Sequence, residues 1–172
     1  VTLPDRYPIE DLAADKDKWG YLLYEDDGTM PANVACLTEN VVGRRIVASE
    51  RRRLTEYELR QIVHGNQWGG WNFRGEVLTI TLDDGDTVVV GDTSDCCAFT
   101  SLDKFLLHPE RVDHMILGVG TTGKYTKWHI YADWGDVLEL DVSWSCGNPF
   151  YYGYGFDITV IPTVLDVGEA TE

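Results

Sequence analysis

Val77-Leu78-Thr79-Ile80-Thr81-Leu82-Asp83-Asp84-Gly85-Asp86-Thr87-Val88-Val89-Val90 decides the fold class. Leu78, Ile80 and Leu82 fall on one side of an extended chain and Thr79 and Thr81 on the other, the period-two signature of a half-buried strand. Asp83-Asp84-Gly85-Asp86 supplies turn chemistry, and residues 87–90 return as a second strand. The segment therefore predicts a β-hairpin.

The same reading extends outward in both directions. Towards the C-terminus, strands are expected at 112–119, 125–132, 137–144 and 156–160. In the second, Trp128 and Ile130 share one face, with Lys127, His129 and Tyr131 on the other. In the third, Leu138, Leu140, Val142 and Trp144 point inward and Glu139, Asp141 and Ser143 outward. Residues 102–107 read as a short helix ending before Pro109. Towards the N-terminus, 42–49 reads as a strand, and 54–64 as a helix opened by the capping box Thr55-x-x-Glu58 and closed at Gly65. Leu59, Ile62 and Val63 form its buried face. Residues 66–75, with Trp68, Trp71 and Phe73, read as an aromatic loop. A short strand at 19–24, the turn Glu25-Asp26-Asp27-Gly28 and a return near 33–36 suggest another hairpin. The expected class is α+β and strand-dominated: a mainly antiparallel, twisted sheet with one or two short helices covering one face. The expected organisation is an acidic N-terminal arm over 1–18, a single domain over 19–162 and an acidic tail over 163–172.

Composition narrows the function classes. The 172 residues carry 14 Lys and Arg against 29 Asp and Glu, a net charge of −15. Such a field repels a free phosphate backbone, so no nucleic-acid partner is expected. Acidic charge first of all keeps a protein soluble; the more specific readings are a basic protein partner or DNA mimicry, which would need carboxylates arranged like phosphates. The sign reverses locally at Arg44, Arg45, Arg51, Arg52, Arg53 and Arg60, a cluster expected to pair with the protein's own acids. No apolar run approaches the length of a membrane span, so no membrane partner is expected. Val1-Thr2-Leu3-Pro4-Asp5 has neither a basic start nor an apolar run, which points to a cytosolic, reducing setting with free thiols.

Three stretches carry candidate binding residues. Asp95-Cys96-Cys97 places two adjacent thiols behind a carboxylate at a strand exit. In an extended chain Cys96 and Cys97 point to opposite faces, one into the core and one to solvent. The four cysteines, Cys36, Cys96, Cys97 and Cys146, lack zinc-ligand spacing, and Asp95 opposes thiolate formation, so neither a metal nor a nucleophile is expected there. Asn148-Pro149-Phe150-Tyr151-Tyr152-Gly153-Tyr154 combines turn chemistry with Tyr151, Tyr152 and Tyr154. It reads as an aromatic contact surface or as cover for a sheet edge. Trp68 and Trp71 add flat apolar area. Gly118-Val119-Gly120-Thr121-Thr122-Gly123 evokes a phosphate loop but lacks Walker spacing, and reads as a hairpin loop. His64, His108, His114 and His129 have no neighbouring Ser or Asp pattern of a triad and read as structural.

Gly43-Arg44-Arg45-Ile46, the Asp-Gly hairpin, Asp95-Cys96-Cys97 and Asn148 to Gly153 together resemble a family of uncharacterised proteins of actinobacterial phages. The resemblance spans residues 42–160; the N-terminal arm and the segment around Trp68–Trp71 look like additions to that core. It implies a phage gene product in the host cytoplasm or in the virion, and it implies no activity, so no site residue is carried over from it. The resulting expectation is a non-enzymatic bacteriophage accessory protein, a binding module for a host or phage protein, without cofactor. Two alternatives stand beside it. One is a virion component, for which oligomerisation would be expected. The other is a small-ligand or metal-binding protein with a pocket near Cys96 and Cys97.

Overall fold

A computed structural model describes residues 6–8, 15–16, 22–24, 26, 28–63, 71–147 and 153–163. In chain order the elements are β1 (Asp15–Lys16), β2 (Leu22–Tyr24), α1 (Thr29–Val41), β3 (Ile46–Arg53), α2 (Glu56–Val63), a 3-10 turn (Trp71–Phe73), β4 (Glu76–Leu82), β5 (Thr87–Gly91), β6 (Thr93–Asp95), β7 (Ala98–Leu107), a second 3-10 turn (Pro109–Arg111), β8 (Gly118–Thr122), β9 (Lys127–Ala132), β10 (Gly135–Ser145) and β11 (Asp157–Ile161). The domain is α+β and strand-dominated, and its strand pairs are antiparallel. The strands form two main sheets, not one: β6-β7-β10-β9-β8 and β11-β5-β4-β3, with β1 and β2 paired separately.

One core joins the inner faces of both sheets. Leu78, Ile80, Leu82, Val88 and Val90 from the smaller sheet meet Leu102, Trp128, Ile130, Leu138, Leu140 and Val142 from the larger. The quoted hairpin behaves as its alternation requires, and its turn closes through the Gly85 N–H on Leu82 O at 2.9 Å with Gly85 at φ 90°. Its second face is also covered. Val77 and Val89 pack with Leu54, Ile62, Phe73 and Ile161 in a separate cluster beneath α2.

The capping box is present: the Glu58 N–H donates to Thr55 Oγ1 at 3.2 Å, and the Thr55 N–H to Glu58 Oε2 at 2.8 Å. Arg52 holds the same carboxylate through two hydrogen bonds of 2.8 and 2.7 Å. Of the arginine cluster, Arg44, Arg45 and Arg52 pair with the protein's own acids, and Arg51 donates to the Leu102 and Asp103 carbonyls. Arg44 pairs with Asp84 and Asp86, and Arg45 with Asp83.

Four elements differ from expectation, the first being the strand read at 42–49, which is β3 at Ile46–Arg53 with 42–45 as the turn that follows α1. The return strand near 33–36 is instead part of helix α1. Met30, Val34, Leu37 and Val41 recur at helical spacing and face the core, and the Asp26 side chain accepts the Met30 N–H at 3.0 Å. Pro31 falls in the first turn, where its missing N–H costs nothing. The expected helix at 102–107 is the second half of β7. Leu102 pairs with Val142 and Lys104 with Asp141, leaving Asp103 as a bulge. The bulge puts Leu102 and Phe105 on the core side three residues apart, which imitates a helical period. The Leu102 N–H turns instead to Asp92 Oδ1 at 2.9 Å. Finally, the expected strand at 112–119 begins only at Gly118, and the supposed hairpin loop 118–123 is mostly strand β8. The actual turn is Gly123-Lys124-Tyr125, at φ 64°, 58° and 59°. Left-handed geometry strains a bulky tyrosine. Two indoles hold it in place: Trp144 donates to Lys124 O at 2.7 Å and Trp128 to Tyr125 O at 2.9 Å.

Candidate functional site

The five-stranded sheet ends in two edges with different character. At the β6 edge, Asp95 pairs with Ala98, so Cys96 and Cys97 form the two-residue tip of a hairpin. Cys96 adopts φ 45°, a position that normally calls for glycine. Both thiols are exposed, and the split between core and solvent expected from an extended backbone does not occur. A tight turn, unlike a strand, need not alternate its side chains across a sheet. The thiols that are withdrawn from solvent are Cys146, buried, and Cys36, half-buried on α1. Desolvation followed by the Glu39 charge pushes the Cys36 thiol upward. Tyr154 stacks on Trp144, with centroids 5.8 Å apart, and donates to Asp26 at 2.8 Å, so it serves the core margin. Trp68, Tyr151, Tyr152 and His64 lie outside the described residues, and for Trp71 only the backbone is described.

The β8 edge carries a concave surface. A cleft of about 430 Å³ opens between α1 and β8, lined by Pro31, Val34, Ala35, Glu39, Val119 and Tyr131, among others. Its volume lies within the range of small-ligand sites. The cleft is therefore on the edge opposite the cysteines. Gly118 and Gly120 shape this edge. A Cβ on Gly120 would stand 2.4 Å from Tyr7 Cβ, and one on Gly118 2.5 Å from the Tyr131 hydroxyl. The glycines sit there to let two aromatic side chains lie on the strand.

Tyr7 joins the cleft to a polar cluster on the outer face of the same sheet. Its ring stacks on His129 with centroids 4.0 Å apart and planes 11° from parallel. Its hydroxyl donates to Asp136 Oδ1 at 2.7 Å. Burial, then the Asp136 hydrogen bond, push that hydroxyl up to about 12. His129 Nδ1 lies 2.8 Å from Asp136 Oδ2, and Nε2 lies 2.8 Å from Thr122 Oγ1. Glu139, opposite His129 in the register, approaches the same point. Beyond it, His108 Nε2 contacts Glu139 at 2.5 Å, and Lys127 bridges Glu139 and Asp141 at 3.5 and 2.7 Å. The Asp141 hydrogen bond raises Lys127, and the same bond lowers Asp141.

A second β-bulge builds this cluster. Asp136 pairs with Tyr131 and Leu138 with Ile130, which leaves Val137 extra. Val137 and Leu138 both enter the core, so Asp136 and Glu139 emerge on one face although an odd spacing separates them. Simple alternation would place them on opposite faces. That is why the histidines read as isolated in the sequence. Thr122, His129 and Asp136 form a line whose polar contacts resemble a nucleophile, base and orienting acid. The Tyr7 ring covers the imidazole, and the His129 side chain retains only 9% of its exposure. The arrangement holds groups in place more readily than it admits a reacting substrate.

The fold and this site define a two-sheet α+β domain with a ligand-sized cleft on one sheet edge and a polar cluster behind it. Residues 39–158 match the family model described as Domain of unknown function (DUF7448), and the chain belongs to that family. No curated protein and no solved structure matches it. No helix among the described residues is long and apolar enough to cross a membrane.

Proposed function

We propose that this protein is a bacteriophage accessory protein, a non-enzymatic binding module that engages a host or phage protein through the cleft between α1 and β8. The observation that carries the reading is the position of that cleft. It runs beside the outer edge strand of the larger sheet, where an extended segment can use main-chain groups as well as side-chain contacts. Glu39 on its wall and the net charge of −15 favour a basic segment. The phage setting, with action in the host cytoplasm, rests on the sequence motifs around Gly43, Asp95 and Asn148. The exposed hairpin tip at Cys96 and Cys97 is a marker of the fold in this reading and not its binding site.

The test is affinity capture from phage-infected host lysate with the wild type and Ala35→Arg. Ala35 is exposed on α1 and lines the cleft, so arginine there fills the cleft without touching the core. One host or phage protein retained by the wild type and lost by the variant is expected. Equal retention by both would refute the cleft as the interface.

A second reading is favoured by the volume alone: about 430 Å³ suits a small ligand. A ligand carried through purification and identified by native mass spectrometry would select it over the protein partner.

A further inference from the structure

The outer face of the larger sheet brings three metal-ligating side chains to one point, on residues the binding reading does not use. One donor atom each from His129, Asp136 and Glu139 lie within 4.8 Å of one another. They are withdrawn from water: the side chains of His129, Asp136 and Glu139 keep 9%, 14% and 19% of their exposure. We propose that this cluster is a binding site for a divalent first-row transition cation, held by His129 Nδ1 and the carboxylates of Asp136 and Glu139.

The surroundings have the form of a supporting shell. In a metal site the second nitrogen of a ligating histidine donates its proton to an oxygen, which fixes the tautomer. Thr122 Oγ1 stands 2.8 Å from His129 Nε2 and can accept that proton, leaving the Nδ1 lone pair to the cation. Tyr7 donates to the Asp136 oxygen that does not face His129, which orients the carboxylate. Its ring covers one face of the imidazole and limits solvent. The Val137 bulge fixes Asp136 and Glu139 on the same side of the strand, so the donor set is built into the backbone. Two carboxylates and a neutral imidazole balance a 2+ charge. Mixed nitrogen and oxygen donors suit zinc, cobalt or manganese better than the hard oxygen shells of calcium. Two basic side chains compete for Glu139. His108 contacts Glu139 at 2.5 Å, and Lys127 Nζ lies 3.5 Å from it. The thiols at Cys96 and Cys97 are at the opposite edge of the sheet and take no part.

The experiment is titration of chelator-stripped full-length protein with Co²⁺, read by visible absorbance and by thermal melting. Ligand-field bands without a thiolate charge-transfer band are expected, together with a rise in Tm. Glu139→Gln should weaken Co²⁺ binding roughly tenfold or more while leaving the metal-free protein folded. Asp136→Asn is the second variant in case the first perturbs the strand. Cys96→Ser/Cys97→Ser should bind as the wild type does. Absence of binding at millimolar Co²⁺, binding unaffected by both carboxylate variants, or binding lost in the cysteine variant would each overturn the assignment.

Discussion

The ring of Tyr7 lies flat on the imidazole of His129 while its hydroxyl donates to Asp136, the residue that also contacts that imidazole. One side chain from near the N-terminus thus covers the histidine and fixes its carboxylate. Tyr7→Phe keeps the stack and loses the hydrogen bond, at a cost of about 1 kcal/mol. Tyr7→Ala loses both and should cost about 2 kcal/mol. Denaturant unfolding separates the two; equal losses would show that the stack contributes nothing. The hydroxyl also ionises late, because its folded value is raised to about 12. Its stabilising effect is complete below the ordinary tyrosine value and is lost as pH rises through about 12. In an ultraviolet titration, Tyr7→Phe should remove one late-ionising tyrosine.

Gly120→Ala should dislodge Tyr7, since the added methyl would stand 2.4 Å from Tyr7 Cβ, a backbone-proximal atom that cannot swing aside. The expected loss is about 1–3 kcal/mol, the range of overpacking substitutions. The same variant should bring the Tyr7 hydroxyl back towards ordinary ionisation. A variant with unchanged stability and an unchanged late tyrosine would contradict the account of this edge.

The hairpin tip predicts an asymmetry between thiols. Cys96 and Cys97 are exposed and should react rapidly with a disulfide reagent in the native protein, whereas buried Cys146 should wait for unfolding. Cys96 holds φ 45°, so Cys96→Gly should stabilise the domain by about 0.5–1 kcal/mol, despite glycine's greater unfolded-state freedom. Cys96→Ser and Cys97→Ser should each change stability by less than about 0.5 kcal/mol. A large loss at either serine variant would restore the picture of one thiol in the core.

Acid should weaken the α2 corner. The Arg52 hydrogen bond, aided by the Thr55 N–H, lowers Glu58 from an ordinary 4.5 to about 2. A depressed folded value means that the stabilisation is fully present above the unfolded value and is lost as pH falls from there through about 2. Glu58→Gln should cost about 1 kcal/mol at neutral pH and flatten the stability profile below pH 4.5. An unchanged slope in acid would contradict the role of this pair.

Regular alternation was legible in the sequence, and departures from it were not. The hairpin around Gly85, strand β10 from Leu138 onward and the Thr55–Glu58 cap were readable because each follows a local rule. The two bulges were not, because one extra residue at Asp103 or Val137 changes which side chains face the core without changing composition. At Asp103 the result imitated a helix. At Val137 it concealed the meeting of Asp136, Glu139 and His129. Helix α1 was missed because Glu25-Asp26-Asp27-Gly28 reads as a hairpin turn, while Asp26 in fact accepts the Met30 N–H at the start of a helix. The cleft depends on Tyr7 meeting Gly120 across more than a hundred residues, and no local pattern encodes that meeting.

Site-specific photo-crosslinking in phage-infected cells tests the binding claim most directly. A photoreactive residue is placed at position 39, on the cleft wall, or at position 97, at the opposite edge of the sheet. A discrete cross-link to one protein is expected from position 39 and none from position 97. A cross-link from position 97 with none from position 39 would contradict the claim and move the interface to the cysteine hairpin.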